Sequence, residues 1–221
     1  MCGRFAQIEP IGKIIKTFFI DEVLTDLVPS YNIAPGGRIL SVVVRDGKHY
    51  LVDHQWGLIP YWAKDPSIGN KLINARGETV NQKPSFRNAF KSRRCLIPAS
   101  GFYEWKKEGK IKIPYYVKLK SGSAFGFAGL HETWISPSGE EVRTCTIITT
   151  GANALMEPIH DRMPVIIPRD RHDQWLDTTG TPDNVLGLIA PYPAEEMELY
   201  QVSPMVNSPK NNSAECITRL Q

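Results

Sequence analysis

RILSVVVRDGKHYLVDHQWG, running from Arg38 to Gly57, carries the clearest structural signal in the chain. Two runs rich in Val, Ile, Leu and Tyr flank Asp46-Gly47, a dipeptide suited to the positive φ angles of a two-residue hairpin turn. The spacing predicts an antiparallel β-hairpin. Comparable short runs recur on both sides: KLINARGETV, RCLIPAS, GFYEWKK, IPYYVKLK, AFGFAGLHE, EVRTCTIITT and RMPVIIP. Turns are predicted at Glu108-Gly109-Lys110 and Ser121-Gly122-Ser123. Helical spacing is confined to EPIGKIIKTFF (Ile11, Ile14, Ile15, Phe18, Phe19), SFRNAFK with Ser85 as N-cap, RDRHDQWL and PAEEMELY. The pattern predicts an α+β fold: a single domain over residues 1–221, mostly an antiparallel, twisted or barrel-like β-sheet with short peripheral helices.

Composition narrows the function classes. At 221 residues and 42% apolar content the chain can bury one large core. It has no run of eighteen apolar residues and no secretory order of charged, apolar and small residues at its start, so a cytosolic, nucleoid-associated protein without a membrane partner is expected. Four cysteines lie far apart with no CxxC pair, which argues against a disulfide framework and a structural zinc; no metal and no cofactor are expected. Net charge is +3, yet residues 71–120 hold 13 Lys and Arg against 3 Asp and Glu, while the remainder holds 13 against 20. Such asymmetry suits a polyanion-binding face, although KKEGKIK alone reads more simply as a solvated turn.

Cys95 and Cys145 fall in strand-like apolar runs and read as inert core. Cys2, in MCGRFAQ, differs. Its side chain is small enough for the initiator methionine to be removed, which would leave a free α-amine beside a thiol, a 1,2-aminothiol.

Three further segments hold chemistry-bearing residues. In LINARGET, alternation places Asn74, Arg76 and Glu78 on one face of an extended run, as in any solvated strand. In GFYEWKK, Glu104 stands among Phe102, Tyr103 and Trp105, so it needs a cationic or hydrogen-bonding partner or its pKa rises. A structural pairing with an arginine explains it equally well. PIHDRMP gathers His160, Asp161 and Arg162 in an irregular connection, the kind of segment where sites concentrate. Tyr31, Trp56, Tyr61 and Trp62 punctuate loops and could stack on unpaired bases; Trp56 reads better as core.

Together MCGRF, YNIAP, WGLIPYW, INARGETV, PSFRNAFKSRRCLIPASGFYEWKK and PIHDRMPVII resemble, in this order, the SOS response-associated peptidase family, from Cys2 to about Lys210. The resemblance implies covalent linkage to abasic sites in single-stranded DNA, with Cys2, Asn74, Glu104 and His160 catalytic and a possible lyase side activity. It implies DNA contacts from Arg4, Asn32, Pro35, Trp62, Arg76, Trp105 and Arg162, with Arg87 and Lys210 beside them, and a monomer is expected. Ser100, Gly77 and Gly151 depart from the family pattern and touch none of the four catalytic matches. Two other readings stay open. One is a cysteine peptidase or N-terminal-nucleophile hydrolase using Cys2 and His160, with self-removal of Met1 as one such activity. The other is a reader that binds single-stranded or modified DNA without a covalent bond.

Overall fold

The computed structural model describes residues 2–220; Met1, whose removal is expected above, lies outside the described residues. In chain order the strands and helices are β1 (Phe5–Gln7), α1 (Ile11–Phe18), β2 (Glu22–Val23), β3 (Ser30–Ile33), β4 (Arg38–Arg45), β5 (Lys48–Trp56), β6 (Asn74–Arg76), α2 (Arg87–Ser92), β7 (Arg94–Ala99), β8 (Gly101–Glu108), β9 (Ile111–Leu119), β10 (Phe125–Ile135), β11 (Glu141–Gly151), β12 (Arg162–Pro164), β13 (Ile166–Ile167), α3 (His172–Leu176) and β14 (Met197–Gln201).

The opening hairpin forms as its sequence dictates. Arg45 pairs with Lys48, and Asp46 and Gly47 take φ angles of 51° and 74°. From this hairpin the pairings close a ring: β4 to β7, β7 to β10, β10 to β11, and β11 back to β5 through a short parallel ladder at Thr144–Gln55 and Cys145–Trp56. The result is a five-stranded barrel, the expected sheet with parallel ladders added at β11–β5, β11–β6 and β2–β5. Closure removes exposed sheet edges along these strands.

Alternation along the barrel strands sends side chains to two cores. Ile39, Val43, Val52, Cys95, Ile97, Cys145 and Ile147 pack with Phe5, Phe102 and Phe127 on one side. Leu40, Val42, Leu51, Leu96 and Leu130 pack on the other against Ile14, Phe18, Phe86, Phe90 and Trp175. Both faces are buried, which is why these runs read as nearly continuous apolar stretches. A second, antiparallel sheet, ordered β14-β9-β8-β1-β3, leans on the first core and carries the start of the chain.

Several local expectations are corrected. KLINARGETV is extended only over Asn74–Arg76; Gly77–Thr79 then turns as a 3₁₀ helix, so Glu78 leaves the face of Asn74 and Arg76. Packing at the turn leaves room only for glycine, since a Cβ on Gly77 would lie 2.2 Å from Ile189 Cγ2. The helix in SFRNAFK begins at Arg87, after Phe86, with no side-chain cap; Ser85 does not serve, because a turn onto the Lys83 carbonyl delivers the chain. PAEEMELY is a 3₁₀ turn at Ala194–Glu196 followed by strand β14, since pairing with β9 outweighs the local helical preference.

Gly101 opens β8, and a Cβ there would sit 2.3 Å from Tyr116 Cζ. Gly101→Ala is therefore expected to destabilise the fold by about 1–3 kcal/mol, measured by urea unfolding, because the buried Tyr116 ring must move.

Buried histidines weaken the fold in acid; burial lowers the pKa of His131 as well as those of His54 and His172. His54, 3% exposed, lies inside the barrel with its ring 5.0 Å from that of His131, and burial lowers its pKa from 6.5 to about 4. Burial does the same to His172. Between about pH 6.5 and 4 the unfolded chain binds protons on these rings that the folded chain refuses. Their contribution to stability is thus whole above pH 6.5 and lost as pH falls toward 4, by up to about 3 kcal/mol per ring. Unfolding titrations at pH 7.5 and 5 should show the loss, and His54→Leu should remove only the share of that ring and leave that of His172.

Candidate functional site

Register along β1 and β8 brings the amino-terminal stretch to Glu104. Phe5 pairs with Phe102, and the Tyr103 N–H donates to the Arg4 carbonyl at 2.9 Å. Continuing this antiparallel register sets Gly3 beside Glu104 and Cys2 one residue further. Cys2 is fully buried in the core shared by Phe5, Phe102 and Met156. Burial first, and the Glu104 carboxylate second, push its thiol well above the ordinary cysteine range.

Beyond the barrel closure, β11 is flanked by β6 and β12, with Thr149 paired to Arg76 on one side and Pro164 on the other. This places Asn74 and His160 on segments that converge on the same place. Asn74 Nδ2 donates to the Cys2 carbonyl at 2.8 Å, while its Oδ1 is buried without a hydrogen-bond partner. Glu104, 4% exposed, has its pKa raised to about 7, chiefly by burial. Glu104 and His160 line one cleft of about 480 Å³ with Trp105, Lys107, Lys112 and Asn207.

His160 Nδ1 accepts the Arg162 backbone N–H at 3.0 Å and lies 2.9 Å from Asp161 Oδ1. A lone pair is needed for the first contact and a proton for the second. The neutral ring therefore carries its proton on Nε2, and the imidazolium turns to Asp161. Burial lowers the pKa of His160, Lys107 adds to the lowering, and Asp161 opposes it.

The remaining residues divide. Arg4 donates from one Nη to Asn32 Oδ1 and the Val206 carbonyl, both at 2.8 Å, with its guanidinium 5.9 Å from the Trp105 ring. Asn32 is buried and donates to the carbonyls of Val206, Ser208 and Asn211. Trp105 Nε1 donates to Asn207 Oδ1 at 2.7 Å. Of these four, Trp105 and Asn207 line the cleft, and Arg4 and Asn32 stand behind them. Arg162 is forked onto Glu78 and also reaches the Thr149 carbonyl at 2.7 Å. Arg76, Pro35, Arg87 and Lys210 are exposed, and Trp62 is 48% exposed. Trp62 and Arg87 lie outside the residues that line the cleft; Tyr61, next to Trp62, borders a different concavity with Asn88 and Lys91 of α2. Asn207, Lys107, Lys112 and the Glu78–Arg162 pair escaped the sequence reading. The Asn207 contact spans 102 residues and the Glu78 contact 84, and no local pattern signals either.

A larger concavity of about 620 Å³ lies among Arg38, Asp53, Glu141 and Arg143. Most of its charges are already matched, Arg38 to Asp53 and Arg143 to Glu141. Among the described residues, no cluster of His, Cys, Asp and Glu could hold a metal ion. Among the described residues no helix is long and apolar enough to cross a membrane.

The family model described as SOS response associated peptidase (SRAP) matches residues 1–209. The abasic site processing protein YoqW of Bacillus subtilis is 52% identical over 221 residues, covering 98% of this chain and 99% of its own. Abasic site processing protein YoaM of the same organism is 50% identical, covering 98% and 97%. The crystal structure of a protein from Bacteroides thetaiotaomicron superposes over all of both chains with a TM-score of 0.88 at 28% identity.

Proposed function

The chain belongs to the SOS response associated peptidase family, and from this premise we propose that it processes abasic sites in single-stranded DNA by a covalent bond to Cys2. The observation that carries the reading is the convergence of Cys2, Asn74 and the buried Glu104 beside a cleft that also holds His160.

Removal of Met1 makes the Cys2 nitrogen an α-amine, with a reference pKa of about 7.7–8.0 against about 10.4 for lysine, so a nucleophilic fraction exists at neutral pH. Glu104 accepts a proton from the ammonium, and the neutral amine attacks the ring-opened sugar aldehyde. The unpartnered Asn74 Oδ1 would accept an amine N–H and fix its direction. His160 protonates the carbinolamine hydroxyl, which leaves as water and yields an iminium. The thiol then adds to the iminium carbon: the S–C bond forms, the C=N π electrons return to nitrogen, and the thiol proton passes to the His160 ring, which gave its own proton to the departing water. Ring closure within one residue has effective molarities of roughly 10⁵–10⁸ M, so the thiazolidine forms ahead of strand-cleaving β-elimination. Burial keeps the sulfur as a thiol until an electrophile arrives. Single-stranded substrate is favoured because the lesion must leave any base stack to reach the cleft.

The test is to mix Met1-processed protein with single-stranded DNA containing an abasic site and to resolve a denaturation-resistant adduct whose mass equals protein plus DNA less one water. Only unmodified polypeptide would overturn the proposal. A peptidase reading predicts turnover of peptides and no adduct; a reader predicts reversible binding alone.

A further inference from the structure

We propose that Lys107 and Lys112 form a phosphate-binding pair that grips the backbone of the single strand entering the cleft. They stand directly opposite each other in the β8–β9 ladder, with the turn at Gly109 (φ 61°) just beyond. Directly opposed residues have Cβ atoms about 4.5–5.5 Å apart, and like charges so placed destabilise the ladder. Among the described residues neither lysine has a carboxylate within ion-pair reach, and the nearest one along the hairpin, Glu108, is held by Lys106 at 2.7 Å. Both lysines line the cleft with Glu104, Trp105 and His160, and both are exposed.

Two unmatched ammonium groups at the rim of a cleft fit one phosphodiester, whose anionic oxygens can accept from both at once. Trp105, on the cleft side of the pair, offers a ring on which an adjacent base can stack. Lys107 also bears on His160, so a phosphate held there offsets a positive charge that otherwise adds to the lowering of the imidazole's pKa. The inference rests on the cleft being a nucleic-acid site, but its test needs no covalent chemistry.

Binding of unmodified oligo-dT to the full chain, followed by anisotropy across a salt series, reads it directly. Lys107→Gln/Lys112→Gln should weaken binding three- to tenfold at low salt. It should also flatten the log–log salt slope by about 1.4, at about 0.7 per lost contact on single strands. Lys107→Arg/Lys112→Arg should restore the slope, and Lys48→Gln, on the other hairpin, should leave it unchanged. The Gln pair should also melt slightly higher than the parent, since a repulsion has been removed. An unchanged slope in the Gln pair, or a parent that does not bind oligo-dT, overturns the inference. A normal slope change with no adduct on abasic DNA would instead sink the covalent reading and leave this one standing.

Discussion

Cys2→Ala should abolish the denaturation-resistant adduct with abasic single-stranded DNA, a loss of at least about a thousandfold, since ring closure supplies the effective molarity that no external thiol can match. Cys2 is fully buried, so the change leaves a small cavity and costs about 1 kcal/mol, too little to unfold a domain of this size. Binding to undamaged single strands should stay within about threefold of the parent, because the phosphate contacts are untouched. The alanine variant keeps its α-amine and should still yield an imine that borohydride traps. Acetylating the parent's α-amine, or retaining Met1, should remove both products. That pair of results separates the aminothiol from a cysteine protease nucleophile, which needs sulfur alone. A parent-like adduct from Cys2→Ala would refute the assignment.

Glu104→Gln should slow adduct formation by about 10²–10⁴-fold at neutral pH, the range for a lost general base. The substitution conserves volume at a buried position, so the fold should survive it. The pH profile is the sharper measurement. Burial raises the carboxyl to about pKa 7, so the fraction able to accept a proton falls about tenfold for each pH unit below that and levels off above. The parent's rate should climb with pH and bend near 7, and the Gln variant should lose that limb. A parent profile flat from pH 5 to 7.5 would remove Glu104 as the base. His160 bears on a different step: its imidazolium, held at Nδ1 by Asp161, would donate from Nε2 to the departing hydroxyl and return to the neutral ring that accepts the Arg162 N–H.

The legible parts of this molecule are those whose causes are local. Residues 38–57 announce a hairpin because strand period and turn chemistry agree within twenty residues. Glu104 betrays itself because a carboxylate among three aromatics is costly wherever it stands. The stretch 193–201 misleads because its helical spacing is real, yet β9 offers Met197 to Gln201 a complete ladder. Nothing near Arg162 indicates that Glu78 will occupy its fork, so a guanidinium expected to meet phosphate is found already paired. Asn32, expected among the DNA contacts, is buried and donates to three carbonyls of a distant segment. Local sequence marks residues whose chemistry is unusual for their surroundings, and identifies poorly what each will touch across the chain.

The anchoring of residues 206–211 by Arg4 and Asn32 imposes an order of events on biosynthesis. Arg4 meets Val206 across 202 residues of chain, so its guanidinium cannot take up this contact until translation is nearly complete. A truncated polypeptide that stops short of Val206 would leave the Arg4 guanidinium without this carbonyl, and the wall that Asn207 adds to the cleft would be missing as well.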